Sequence, residues 1–229
     1  MADFPANPLL PETVLQKQAE LPLKPAPVTL TGKFVRLEPL DIARDADALF
    51  AVSNGGPAML GERSVEAYDA DTLVWRYMSG GPFENPAALG AWLQAQIDAP
   101  NRLPLCVFDV KADAPVGVAA FMNNFPQHLK IELGGIWYSP LAQGTGANAE
   151  TTYLMLKHAF ALGYRRVEWK CDALNARSRK AALRLGFQFE GIQEYHFVVK
   201  GRNRDTAWFR ILDHEWEGVR KLLEDRLYG

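Results

Sequence analysis

A mixed α/β domain, with a mostly antiparallel sheet between flanking helices, is the fold class that three features of the sequence predict. Runs with strand character and runs with helical spacing alternate from about residue 31 onward. Several of the strand-like runs are short and joined by hairpin-length connections, which favours antiparallel pairing. One stretch is different in kind. A strand over Leu129–Tyr138, a turn carrying Gly144 and Gly146, a helix ending near Leu162 and a strand over Arg166–Cys171 form a single strand–turn–helix–strand unit that makes the sheet mixed.

Taken in order, the chain starts with an arm. Pro5, Pro8, Pro11, Pro22, Pro25 and Pro27 each remove a backbone donor, so residues 1–30 are expected to be extended and to lie on the surface or on a partner subunit. Residues 31–229 are expected to form one domain, because a chain of 229 residues can bury a core of its own. Lys33, Arg36 and Glu38 interleave with Phe34, Val35 and Leu37 as in an edge strand. Asp41–Val52 reads as a helix ended by Gly55-Gly56-Pro57, and Ala58–Ala70 fits neither state clearly. Asn85–Ile97 is a helix with Asn85 as cap, Pro86 in the first position and Pro100 beyond its end.

Leu105–Val110 and Val116–Met122 are short strands joined as a hairpin across Lys111–Pro115. In the next strand the Gly134-Gly135 pair predicts a bulge or the close approach of a ligand. Ala149, Tyr153, Leu156 and Phe160 repeat at helical spacing before Gly163. Val167, Trp169 and Cys171 alternate with Arg166, Glu168 and Lys170, as in a half-buried strand. Asn175–Leu185 is a helix closed by Gly186. Tyr195–Val199 and Thr206–Leu212 form a hairpin around residues 201–204, and His214–Leu227 is the final helix.

Composition narrows the function classes. With 25 basic and 27 acidic side chains the formal charge is −2, so no field attracts nucleic acid or anionic lipid. No segment approaches the roughly 18 apolar residues of a membrane span. Cys106 and Cys171 lie in apolar or strand-like runs, and no basic-then-apolar export signal opens the chain, so a reducing, cytoplasmic setting is expected. The four histidines form no recognisable metal set, and no metal is expected.

The glycine turn is the first candidate site. A tight turn at a helix start exposes unpaired N–H groups and is a seat for phosphate. ATP-type P-loop spacing fails, because the second glycine and the lysine would fall at Ala149 and Glu150. Gly144, Gly146 and Ala149 fit dinucleotide spacing, but the turn follows several short strands and opens no repeated βαβ unit. A compact connection without a ligand is the remaining structural reading.

Three further segments enlarge the picture. The turn Pro140–Glu150 resembles the acyl-CoA turn of the GNAT N-acetyltransferase superfamily, above all its RimJ/RimL-like branch. Asn175–Phe187 looks like that branch's asparagine and serine helix ending in glycine-phenylalanine, and Glu190-Gly191, Asp205 and Leu212-Asp213 follow in the matching order. The resemblance spans about Gly32 to Trp216. It implies a GNAT-like fold and acetyl-CoA as acyl donor, with transfer to a primary amine by direct attack on the thioester. The amine is expected on a protein or peptide N-terminus, a small molecule such as a toxin or antibiotic being the alternative. A noncatalytic acyl-CoA sensor and a homodimer also fit.

The same resemblance implies roles for named residues. Gln143, Gly144, Thr145, Gly146, Ala147 and Asn148 would hold the coenzyme's pyrophosphate, with Asn175, Ser178 and Lys180 as further contacts. Its pantetheine arm would run between the strands Leu129–Tyr138 and Arg166–Cys171. Glu132 would be the general base and Ser178 the acid that protonates the departing sulfur. Each has a plainer reading. Glu132 can face water or bind substrate, and Asn175 and Ser178 can serve as helix caps. Arg177, Arg179 and Lys180 fit either a peripheral phosphate or a solvated face. Tyr138 and Tyr195 are alternate acids or packed aromatics. Trp75, Trp92, Phe121, Phe125 and Tyr195 fit an acceptor mouth or a core. Asn148 departs from the glycine or alanine usual at its place, so weaker or altered coenzyme binding is expected.

Overall fold

The computed structural model describes residue 7 and residues 9–229. Ten strands and six α-helices follow one another as α1 (Glu12–Glu20), β1 (Leu30–Thr31), β2 (Val35–Pro39), α2 (Ile42–Ala51), β3 (Ala58–Leu60), β4 (Arg63–Val65), α3 (Pro86–Asp98), β5 (Leu103–Asp109), β6 (Ala114–Phe125), β7 (Lys130–Tyr138), α4 (Ala147–Ala161), β8 (Arg166–Asp172), α5 (Ala176–Arg184), β9 (Gln188–Val199), β10 (Arg202–Leu212) and α6 (Trp216–Tyr228). Eight strands form one sheet in the order β1-β2-β5-β6-β7-β8-β10-β9. Only β7 and β8 run parallel, joined by α4, so the sheet is mixed and mostly antiparallel as predicted.

Helices cover both faces, and β5 shows the consequence. Leu105 and Val107 point into a core shared with Met155, Leu156 and Ala159 of α4. Cys106 and Phe108 point the other way, into a second core with Leu49 of α2 and Leu89 and Leu93 of α3. A strand buried on both sides needs a continuous apolar run, which β5 has. The caps fall where expected: Asp41 accepts from Arg44 N–H and Asn85 from Ala88 N–H. The ambiguous stretch after residue 57 contains the small hairpin β3–β4.

The arm departs from the extended segment expected of it. Pro11 and Pro22 bracket a proline-free interval, so α1 forms between them without losing a donor. Pro5 and Pro8 lie outside the described residues. The stretch after α1 straps onto its own chain: the buried Asn124 side chain donates to the carbonyls of Pro22 and Leu23 at 2.9 Å each and accepts from Tyr164 Oη at 2.8 Å.

The last hairpin is longer than its apolar pattern indicated. Lys200 and Gly201, both at positive φ (50° and 70°), make a two-residue turn that lets β9 and β10 pair down to Arg202↔Val199. Arg202, Asn203 and Arg204 are therefore strand residues and not a loop. Among the described residues no helix is long and apolar enough to cross a membrane, and no group of three or more His, Cys, Asp or Glu side chains could hold a metal ion.

Candidate active site

The site begins where two strands part. β7 and β8 pair only at Lys130↔Arg166, Ile131↔Val167 and Glu132↔Glu168, and beyond Glu132 they separate. The gap leaves backbone groups of β7 without a β8 partner, and such groups require a ligand or water. On the other side of β7 the register with β6 slips between Val118↔Trp137 and Ala120↔Gly134, the bulge expected at the glycine pair. Gly135 adopts φ 59°, and a Cβ there would collide with Nη2 of Arg102.

A cleft of about 860 Å³ follows the split, lined by Glu132 and Gly135 of β7, Lys170 and Cys171 of β8, Ser178 of α5 and the glycine turn. Gly144 (φ 79°) and Gly146 (φ 87°) reverse the chain before α4. The N–H groups of Gly144, Gly146, Asn148 and Ala149 find no hydrogen-bond partner among the described residues, whereas Ala147 N–H reaches Thr145 Oγ1 at 3.4 Å and Glu150 N–H returns to Gly146 O at 3.0 Å. Converging free donors at a helix N-terminus suit a pyrophosphate. The free donors, the parted strands and the volume together fit a coenzyme with a charged middle and a linear arm.

The fit yields a prediction. Nothing lies within 4 Å of a Cβ added at Gly144 or Gly146, so substitution there costs mainly left-handed strain, about 1–2 kcal/mol. Gly146→Val is expected to weaken acetyl-CoA binding about tenfold or more in titration calorimetry, and an unchanged affinity would remove the turn from the binding site.

Glu132 is not on a solvated face. It is 4% exposed; its Oε2 accepts from Asn123 Nδ2 at 2.7 Å and pairs with Lys170 Nζ at 2.7 Å. Burial raises its pKa above the ordinary carboxylate value, and Lys170 partly offsets that rise. Oε1 receives no donor among the described residues and lies beside Gly134 at the vertex of the split. Ser178 Oγ accepts from Trp169 Nε1 at 3.1 Å, which leaves its own O–H available to donate. Asn175 Oδ1 caps α5 through Ser178 N–H at 3.0 Å, so its capping reading holds while its amide nitrogen still faces the cleft.

The remaining predicted contacts divide. Lys180 lines the cleft, as do Gln143 and Asn148. Gln143 also serves as an anchor, donating to Leu73 O and Tyr138 O at 3.3 Å while Arg177 donates to its Oε1 and to the carbonyls of Thr72 and Leu73. Arg177 thereby braces the turn with bonds that a purely solvated face would not make. Thr145 turns its hydroxyl to Ala142 O at 2.7 Å, and Ala147 is buried, so from these two only the backbone shapes the site. Asn148 Oδ1 is buried without a partner, and its side chain has not captured its own N–H. Arg179 reaches Ala173 O instead of the cleft.

Several alternatives fall away. Tyr195 is 82% exposed and off the cleft, and Tyr138 packs in the core with its hydroxyl beside Thr151 and its pKa raised by burial. Cys171 is buried, and burial pushes its thiol up, as befits packing and not nucleophilic attack. Trp75 and Phe121 are core residues, whereas Trp92 does line the cleft. Asp205 tethers the hairpin by accepting from Tyr195 N–H at 2.8 Å. Sequence reasoning missed Lys170, Asn123 and Arg102. Lys170 sat in an alternation that pointed it at water, and only the register of β8 beside β7 brings it to Glu132.

A family model described as an acetyltransferase (GNAT) domain matches residues 35–188. The chain belongs to the GNAT acetyltransferase family. Acetyl-CoA is thus its acyl donor, and the chain is an acetyl-CoA-dependent N-acetyltransferase acting on amines. Among solved structures, a GCN5-related N-acetyltransferase from Brucella melitensis is 37% identical with a TM-score of 0.79, over 88% of this chain and 86% of that one. A GNAT-family protein from Chromobacterium violaceum ATCC 12472 is 34% identical with a TM-score of 0.77, over 95% and 99%. One from T. thermophilus is 32% identical with a TM-score of 0.75, over 89% and 98%. None of the curated proteins matches the chain.

Proposed function

We propose that this GNAT enzyme, of the RimJ/RimL-like branch, acetylates the α-amino group of a protein or peptide, with Glu132 as base and Ser178 as acid. The observation that carries the chemistry is the free Oε1 of a buried carboxylate at the vertex of the strand split. Acetyl-CoA supplies an activated thioester carbonyl. Glu132 Oε1 accepts a proton from the amine as its lone pair attacks, and the neighbouring Lys170 and Asn123 hold the carboxylate in place through Oε2. Ser178 donates its hydroxyl proton to the departing sulfur, with Trp169 Nε1 fixing the oxygen. The β7 bulge widens the approach, and the cleft runs on to Phe197 and Arg204 of the β9–β10 hairpin, leaving room for an extended acceptor.

Peptides with free and blocked N-termini, compared by thiol release, test the acceptor class; equal turnover of lysine side chains in blocked peptides would overturn it. For Ser178→Ala, kcat is expected to fall about tenfold to a hundredfold with KM for acetyl-CoA little changed. A rise in that KM at constant kcat would assign Ser178 to binding alone.

A further inference from the structure

Two guanidinium groups on the cleft wall have no acidic partner. Arg102, just before β5, lines the cleft against Gly135, and its Nε is buried with no hydrogen bond among the described residues. Glu132 is the one acidic charge acting on it, yet Oε2 of that carboxylate already serves Lys170 and Asn123. Burial therefore lowers the Arg102 pKa from its ordinary value. Arg204 of β10 also lines the cleft, with Nε buried and unpaired and its guanidinium over the Phe197 ring at 5.5 Å. Arg204 and Lys170 both bear on His196, which places Arg204 near the Lys170–Glu132 pair.

A desolvated, unpaired guanidinium is costly, and a site that retains one gains most when an anion arrives. The coenzyme's phosphates do not fill this role. From Gly135 the strand runs about 10 Å to Tyr138 before the glycine turn begins, so Arg102 sits at the reacting end of the cleft. Trp92 and Met122 beside it supply apolar walls that strengthen an ion pair formed between them. Arginine's planar fork matches a carboxylate bidentately.

We propose that the acceptor carries a carboxylate close to its reactive amine, and that Arg102 binds it while Glu132 takes the amine's proton. The inference rests on the placement of Glu132 at the acceptor end. The carboxylate comes either from an acidic side chain at the start of a peptide or from the α-carboxylate of a free amino acid. Arg102 sets specificity in both cases.

Thiol release by the full chain would be compared within matched pairs: hexapeptide amides beginning Asp-Ala and Asn-Ala, hexapeptide amides beginning Ala-Glu and Ala-Gln, and free amino acids against their amides. Acetyl-CoA titration would check that each variant is folded. In at least one pair the acidic member is expected to have a kcat/KM about thirtyfold higher or more. Arg102→Gln should bring that ratio to within about threefold of unity, and Arg102→Lys should restore part of it. A ratio near unity in the unaltered protein, a ratio untouched by Arg102→Gln, or no turnover of any acceptor overturns the inference. Discrimination among free amino acids with no peptide turned over would keep the carboxylate and end the peptide reading. Equal acetylation of acidic and neutral peptides would do the reverse.

Discussion

Glu132→Gln is expected to lower kcat by about a hundredfold or more while the affinity for acetyl-CoA stays within about twofold. The substitution keeps size and polarity but cannot accept a proton at neutral pH. Because burial raises the Glu132 pKa, the acid limb of the kcat/KM profile should lie above the usual carboxylate range. The sign follows from the role: below its pKa the carboxyl is protonated and cannot act as base, so activity falls as pH falls through that value. Lys170→Met removes the cation that favours the ionised form and should move the limb to higher pH. A Glu132→Gln enzyme with ordinary turnover, or a limb unmoved in Lys170→Met, would separate Glu132 from proton transfer.

Glu150→Ala is expected to destabilise the fold by about 3 kcal/mol or more. Glu150 lies in the first turn of α4 and is fully buried. Its carboxylate accepts from the N–H groups of Lys33, Phe34 and Val35 at 2.8, 2.6 and 2.7 Å and from Tyr228 Oη at 2.8 Å. It thus ties the loop between β1 and β2 and the end of α6 to the helix whose N-terminus faces the coenzyme. Removing it strands several donors at once, and in a chain of this size the melting temperature should drop by about 6–12 °C. Calorimetric scans with urea titrations check this; a drop below about 2 °C would mean that water replaces the carboxylate without penalty. Glu150→Gln should fall between, since its amide keeps one acceptor oxygen but points an N–H₂ group at other donors.

Glu150 also illustrates what sequence reading can reach. Its place at a helix start marked it as structural and not a proton carrier, and it is structural. The partners were invisible, however, because they lie far away in the chain, at residues 33–35 and 228. Asn85 and Asp41 were legible as caps because the bond each makes spans three residues. The arm was misread where proline counting ignored spacing: only the interval between Pro11 and Pro22 mattered for α1. Arg204 was read into a loop because the apolar alternation of β10 fades before the pairing does.

By itself the sequence determined the strand–turn–helix–strand unit, the glycine turn and the family, since all three are local patterns of residue type and spacing. Tertiary structure alone decided that Glu132 is buried and paired with Lys170, and that Arg102 stands unpaired beside Gly135. Those facts depend on which strands become neighbours and where they part. Desolvation and charge pairing act through space, so no separation along the chain encodes them.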